Sequence, residues 1–268
     1  MVDINIVKLI FFHICILEGL TQYDENFWEQ SGKFEGDIDI DMVDVRNGLK
    51  DTKHRWPNGI VPYEIEKDDF SDEEIDEIKN VIKYYHNETC IQFKKRDDTD
   101  DAWLTFRGDN EGCYSSVGRK GDGGQTINLK PPKCVRKGII THEMLHALGF
   151  FHQQSSTERD DYVTILWDNI EDGKEHNFLK YNASTVTNFG YEYDYQSVMH
   201  YSGKAFSKNG ENTIVAKNEN TTLGQRKGFS ELDLTKLKAM YSDECKKRQK
   251  DASLVEDINS LWTMITKH

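Results

Sequence analysis

From Ser71 onward, apolar residues recur at helical spacing: Ile75, Ile78, Val81, Ile82 and Tyr85 fall on one face. Ser71 stands ahead of them with Glu74 three residues on, the pairing that lets a serine oxygen and a glutamate reciprocally satisfy free N–H groups at a helix start. The pattern predicts a capped amphipathic helix covering a sheet. Upstream, Ile60-Val61-Pro62-Tyr63-Glu64-Ile65 alternates like a half-buried strand, and Pro62, which has no N–H to give, points to a sheet edge or a strand start. Ile91-Gln92-Phe93, Ala102-Trp103-Leu104-Thr105-Phe106 and Thr126-Ile127-Asn128-Leu129 read as further strands. Because a strand follows it, the glycine-rich turn Gly121 to Gly124 is not a phosphate-cradling loop. Trp167 to Tyr193 has no strong period and reads as irregular. Ser230 with Asp233 marks a last helix that uses Leu234, Leu237, Lys238 and Tyr241 and reaches Cys245. Beyond it, Leu254, Ile258, Leu261, Trp262 and Ile265 form an amphipathic pattern expected to pack on the domain.

A chain of 268 residues, 37% of them hydrophobic, has enough apolar material for one large domain or two lobes. Residues 1 to 46 hold 3 Lys+Arg against 10 Asp+Glu, leaving 31 against 37 elsewhere, so about half of the net charge of −13 lies in the first sixth. Nothing is basic enough for nucleic acid. Residues 5 to 17 form an apolar run interrupted by Lys8 and His13, too short for a membrane anchor, and residues 1–20 read as a secretory signal. Discarding Cys15 with that signal leaves Cys90, Cys113, Cys134 and Cys245, an even set with three possible pairings and no Cys-x-x-Cys metal spacing. Residues 21–46 are acidic and have little to fold around on their own. For an exported chain, Asn87-Glu88-Thr89, Asn182-Ala183-Ser184 and Asn220-Thr221-Thr222 are glycosylation sequons.

The chemistry concentrates between Thr141 and His152, in Thr-His-Glu-Met-Leu-His-Ala-Leu-Gly-Phe-Phe-His. On a helix turning about 100° per residue, His142 and His146 lie one turn apart on one face and can share a metal ion. Glu143 is about 100° further round, beside the metal rather than forced to ligate it, which suits a general base. Gly149 can take the left-handed conformation that ends a helix and lets His152 return with a third nitrogen. Three neutral histidines leave a fourth zinc position open. An ordinary buried helix with Ile139, Ile140, Leu145 and Leu148 as its apolar face accounts for neither Glu143 nor the Gly-x-x-His extension. The long form H-E-x-x-H-x-x-G-x-x-H belongs to the metzincin clan, whose further requirement is a methionine turn. Ser197-Val198-Met199-His200-Tyr201 supplies one.

Together with Glu158-Arg159-Asp160-Asp161-Tyr162-Val163, these motifs resemble the astacin family of zinc endopeptidases. The resemblance, over roughly residues 34 to 245, implies an α+β fold of the zincin type, with a mixed-sheet upper lobe and a mostly irregular lower lobe flanking a cleft. It implies a pro-segment at 21–46, a catalytic domain at 47–245 and a tail at 246–268, too short for an EGF-like or CUB module. One zinc ion would be held by His142, His146 and His152, with Glu143 as general base, Tyr201 stabilising the oxyanion and Met199 shaping the floor. Cys90 would pair with Cys245 and Cys113 with Cys134. The first pair would close a loop of about 155 residues, worth on the order of 4 to 5 kcal/mol in the chain-entropy picture.

Phe34-Glu35-Gly36-Asp37 resembles the element through which zymogens of this family place an aspartate, here Asp37, on the zinc. A trypsin-like protease would then activate the chain between Arg46 and Asn47. Cys113 to Arg119 resembles the rim strand that takes a protein or peptide substrate as an extra antiparallel strand. The Glu158-Arg159-Asp160 turn would pin the loop that carries His152, and Arg226 near the cleft would favour an acidic residue after the cut bond. The whole reads as a secreted, monomeric, zymogenic zinc endopeptidase with no nucleic-acid or membrane partner. A catalytically silent secreted binding protein on the same fold is the alternative.

In the family, the freed amine is buried against a glutamate that follows the third histidine, where this chain has Gln153. An amide accepts the hydrogen bond but does not balance an ammonium charge. Extra residues left before Asn47 should therefore lower activity less here than in a relative bearing that glutamate. An equal, large loss in both would refute this.

Overall fold

The structure, a computed structural model, describes residues 27–40, 52–184 and 186–265. The expected leader at 1–20 and the Arg46–Asn47 bond lie outside them. Helix α1 (Asp72–Glu88) starts as its sequence predicts. Ser71 accepts from the Glu74 N–H, Glu74 reaches back to the Ser71 N–H, and Ile75, Ile78, Val81, Ile82 and Tyr85 are buried. It crosses over between strands β1 (Ile60–Ile65) and β2 (Gln92–Lys95), which are parallel and so need a long connection. With β3 (Ala102–Arg107), β4 (Cys113–Ser115) and β5 (Gly123–Leu129) they form one mixed sheet in the order β2-β1-β3-β5-β4, in which only β4 runs antiparallel to its neighbour.

β1 stands inside this sheet, so of the two positions expected from Pro62 the edge is excluded and the place before the start of pairing remains. The register explains how a proline is tolerated there. The Tyr63 carbonyl accepts from Arg96 N–H on the β2 side, so Pro62, one residue back, faces the β3 side. Pairing with β3 begins only at Tyr63, and no ladder bond is lost for want of an N–H.

The buried face of the sheet, including Leu104, Phe106, Ile127 and Leu129, packs with α1 and with helix α2 (Lys137–Ala147) into the main core. Tyr85 ties the two helices by donating to the Thr141 carbonyl at 2.7 Å. A second, smaller core of Val163, Ile170, Phe178, Tyr193, Tyr201, Phe206 and Ile214 fills a lower lobe whose regular strands are β6 (Val163–Ile165) and β7 (Ile214–Ala216). The rest of that lobe is short 3-10 turns and irregular chain. α2 is buried from Gly138 to Ala147. A Cβ on Gly138 would stand 1.8 Å from the Arg226 carbonyl oxygen, so the helix start and the Arg226 backbone approach each other through the missing side chain.

Cys90 bonds to Cys245 and Cys113 to Cys134. The last helix of the domain is two helices. α3 (Glu231–Met240), capped by Ser230 and Asp233, buries Asp233, Lys236, Leu237 and Met240 and leaves Lys238 exposed. α4 (Ser242–Ile265) then holds the domain through Cys245 and through Arg248, which donates to the Asn58 carbonyl at 2.9 Å. Of the five residues expected to pack on the domain, Leu261 and Ile265 lie outside the described side chains, and the other three stay exposed: Leu254, Ile258 and Trp262 are 49%, 54% and 65% exposed. Among the described residues, no helix is long and apolar enough to cross a membrane. Asn87, Asn182 and Asn220 are all exposed.

Residues 27–39 do fold, against the domain rather than by themselves. Ile38 is fully buried and bridges Ser115 of edge strand β4 in the parallel sense, with Asp39 N–H on the Ser115 carbonyl at 2.8 Å and Ser115 N–H on the Asp37 carbonyl at 3.0 Å.

Gly138→Ala should destabilise the chain by about 1–3 kcal/mol through overpacking, since the opposing atoms are backbone. A urea midpoint unchanged from wild type would show that the helix and the Arg226 segment separate freely.

Candidate metal centre and active site

α2 ends because Gly149 takes φ 110°, a region that a side chain disfavours. Its N–H returns to the His146 carbonyl at 2.7 Å and that of Phe150 to the Leu145 carbonyl at 3.0 Å, closing the last turn. The reversed chain brings His152 back, and the next N–H, of Gln153, bonds to the Met199 carbonyl at 3.0 Å. The methionine turn itself hangs on α3. Asp233 accepts from Ser197 Oγ at 2.6 Å and from Val198 N–H at 2.9 Å while also capping its own helix. Met199 is buried in the main core.

His142, His146, His152 and Asp37 thus offer one donor atom each, all within 4.8 Å of one another and all buried. The Asp37 carboxylate stands 3.1 Å from His142 Nε2, 3.4 Å from His146 Nε2 and 3.1 Å from His152 Nε2. Three outer nitrogens are anchored from behind: His142 Nδ1 by the Val198 carbonyl at 2.8 Å, His146 Nδ1 by the Phe150 carbonyl at 2.7 Å, and His152 Nδ1 by Glu35 Oε2 at 2.8 Å. The tautomer that donates through Nδ1 leaves each Nε2 lone pair facing the common centre.

Burial lowers the pKa of His142 to about 3, and burial likewise lowers that of His146, so both rings are neutral as metal ligands must be. For His152 burial acts the same way, but the Asp37 charge and the hydrogen bonds from Asp37 and Glu35 outweigh it and raise the value to about 9. Burial would push Asp37 up, yet the His152 charge and the imidazoles of His142, His146 and His152 around the carboxylate hold it well below the usual carboxylate range. The cluster therefore calls for positive charge. Glu143 lies beside it fully buried, with neither carboxylate oxygen hydrogen-bonded, and burial followed by the Asp37 charge raises its pKa well above normal. His146 Nε2 and Asp37 Oδ1 also lack hydrogen bonds. A nitrogen-rich donor set, orphaned atoms aimed inward and a demand for cationic charge fit one zinc ion.

Around this centre, Tyr201 donates its phenol to the Glu35 carbonyl at 2.6 Å, its ring 4.6 Å from that of His152. Arg159, buried in the Glu158-Arg159-Asp160 turn, holds the Gln154 and Phe178 carbonyls at 3.1 and 2.5 Å, tying the loop after His152 to the lower lobe. Gln153 Oε1 already accepts from the buried Lys236 ammonium at 3.0 Å. Arg226 Nη1 donates to the His200 carbonyl at 3.0 Å, and Nη2 stands 3.4 Å from Glu29, which also accepts from Ser202 N–H at 2.7 Å and Ser202 Oγ at 3.0 Å. Glu29, Glu35 and Lys236 escaped the sequence reading: a lone charged residue among other charged residues has no period. Only their position next to Phe27-Trp28, Phe34 and Leu237 hinted at burial.

A helix bearing two histidines and a glutamate, broken by glycine before a third histidine and floored by a methionine turn, defines the metzincin class of zinc-dependent peptidase folds. This chain belongs to the astacin family of zinc metalloendopeptidases: the model of the Astacin peptidase family matches residues 48–242. "Zinc metalloproteinase nas-15" of Caenorhabditis elegans is 37% identical over 238 residues, 82% of this chain and 41% of that protein. "Meprin A subunit beta" of Homo sapiens is 42% identical over 211 residues, 78% of this chain and 29% of that protein. The chain thus spans less than half the length of these curated relatives. Among solved structures, High choriolytic enzyme 1, a hatching enzyme zinc-protease from Oryzias latipes, superposes with a TM-score of 0.64 at 34% identity, covering 77% of this chain and 98% of that one.

One zinc per chain is the expected stoichiometry in a metal assay. With zinc at about a thousand times its dissociation constant, the native state gains about 4 kcal/mol, so removal by a chelator should lower the melting midpoint by roughly 10 °C. A midpoint indifferent to chelator would count against the metal.

Proposed function

We propose that this chain is the latent form of a secreted zinc endopeptidase, zinc held by His142, His146 and His152, whose cleft is closed by its own residues 27–39. The observation that carries this reading is the buried Asp37 carboxylate among three convergent imidazoles, where a water and a scissile carbonyl would otherwise enter. Bound zinc would supply Lewis acidity, polarising the substrate carbonyl and acidifying a water. Glu143, held beside the cluster and favouring a proton because it is buried, takes the proton of the attacking water and returns it to the leaving amine. Tyr201, freed from the Glu35 carbonyl, donates its phenol to the developing oxyanion, a contribution on the order of 3 kcal/mol.

A protein substrate would replace residues 37–39 on the open edge of β4, reading backbone groups now held by Asp37 and Asp39. Arg226, released from Glu29, would favour an acidic side chain beyond the cut bond. Cleavage between Arg46 and Asn47 by a trypsin-like protease releases the segment. The three exposed sequons would carry glycans on a secreted chain.

Trypsin-treated chain should cleave casein, lose that activity to a chelator and recover it with zinc. Glu143→Ala should keep its zinc and lose activity by at least about 10³-fold, the scale of a lost general base together with its proton return. Near-wild-type turnover in that variant overturns the assignment. Asp37→Ala should hydrolyse casein without cleavage of the chain. A variant as silent as the uncleaved wild type would mean that latency does not run through Asp37.

A further inference from the structure

The three histidines differ in what stands behind them. His142 and His146 donate through Nδ1 to carbonyls of the domain itself, those of Val198 and Phe150. His152 meets the Glu35 carboxylate, which belongs to the docked segment. Glu35 is 2% exposed, its second oxygen accepts from Ser155 Oγ at 3.1 Å, and its carbonyl accepts from the Tyr201 phenol. Its backbone sits at φ +43°, a conformation that is strained for a non-glycine residue and persists only where surrounding contacts impose it. Gly36 beside it lies so close to the segment's own first turn that a Cβ would stand 2.0 Å from the Glu29 carbonyl oxygen.

We infer that Glu35 is a positioning residue for His152: the segment that occludes the metal also completes the hydrogen bonding behind its third histidine, so the latent chain holds zinc more tightly than the activated one. The inference rests on the reading of His142, His146 and His152 as zinc ligands. A carboxylate behind Nδ1 selects the tautomer with a free Nε2 lone pair, fixes the ring plane and raises ligand basicity beyond what a neutral carbonyl achieves. Asp37 meets the imidazoles at their Nε2 atoms, and Glu35 meets His152 at Nδ1 on the far side of the ring. When the segment departs, His142 and His146 keep their partners and His152 alone loses its own. The same displacement frees Tyr201, so the access that permits catalysis comes with a looser third ligand.

The test is zinc affinity of the full latent chain, read by competition with a chromogenic chelator. Glu35→Gln should bind zinc about 10- to 100-fold more weakly than wild type, the range typical of lost outer partners, with Glu35→Asp intermediate. The His152 Nδ1 proton in histidine-labelled chain should move upfield in Glu35→Gln. Docking is followed separately by hydrogen exchange at Ser115 N–H, which bonds to the Asp37 carbonyl. Ser155→Ala, which leaves the segment's backbone contacts whole, should repeat the loss at smaller size. After cleavage and removal of the segment, Glu35→Gln and wild type should agree with each other and fall below latent wild type. Zinc affinity within twofold of wild type in both the Glu35→Gln and Ser155→Ala latent chains overturns the inference. A wild-type chain that takes up no zinc overturns it together with the metal reading beneath it.

Discussion

Three imidazoles and a carboxylate brought within 4.8 Å of one another, without exposure to water, are the constraint on which the rest of the structure turns. Such a cluster is costly to bury unless every lone pair and proton has a partner and the charges balance. Each neighbouring device serves that balance. The glycine break after α2 returns His152 to its two companions, and the Val198 and Phe150 carbonyls orient the rings of those companions. Asp233 holds the methionine turn, and Arg159 holds the loop beyond His152. The two cores meet at this point, one above and one below, so that α2 is buried nearly throughout its length.

The acidic segment before the domain gains structure from the same electrostatics. Phe27, Trp28 and Ile38 supply little apolar area on their own, but three of its carboxylates find cationic or hydrogen-bonding partners in the cleft. Glu29 pairs with Arg226 and Ser202, Glu35 with His152 and Ser155, and Asp37 with the histidine cluster. The backbone from Asp37 to Asp39 joins the edge of β4 parallel to it, the reverse of the direction expected for a substrate strand. The segment thus covers the β4 edge in the direction opposite to that expected of a substrate.

Local chemistry made part of this legible before any coordinates. The Ser71 and Glu74 pair and the five apolar positions behind it define α1, because a helix start and a helix face are set within a few residues. Four of the strands of the sheet were readable from their residues, the α+β fold came with the family resemblance, and the spacing of His142, His146 and Gly149 carries the angular geometry of the metal helix by itself. Pro62 left edge and strand start both open because a proline in a strand is judged by whether its missing N–H is needed, and that depends on the register with two other strands. The tail misled because an amphipathic pattern says that a face is apolar but not what lies next to it, and Leu254, Ile258 and Trp262 stay exposed.

What the chain alone determined, then, is whatever depends on near neighbours along it: helix caps, apolar periods, the glycine stop, and a donor set suited to zinc. What only the folded molecule decided is which distant groups stand behind those donors. Glu35, Glu29 and Asp233 are separated from their partners by 117, 173 and 36 residues. No local energy term connects such positions. They meet because the burial of two cores closes the cleft around them, and a buried carboxylate persists only where that closure brings it a partner.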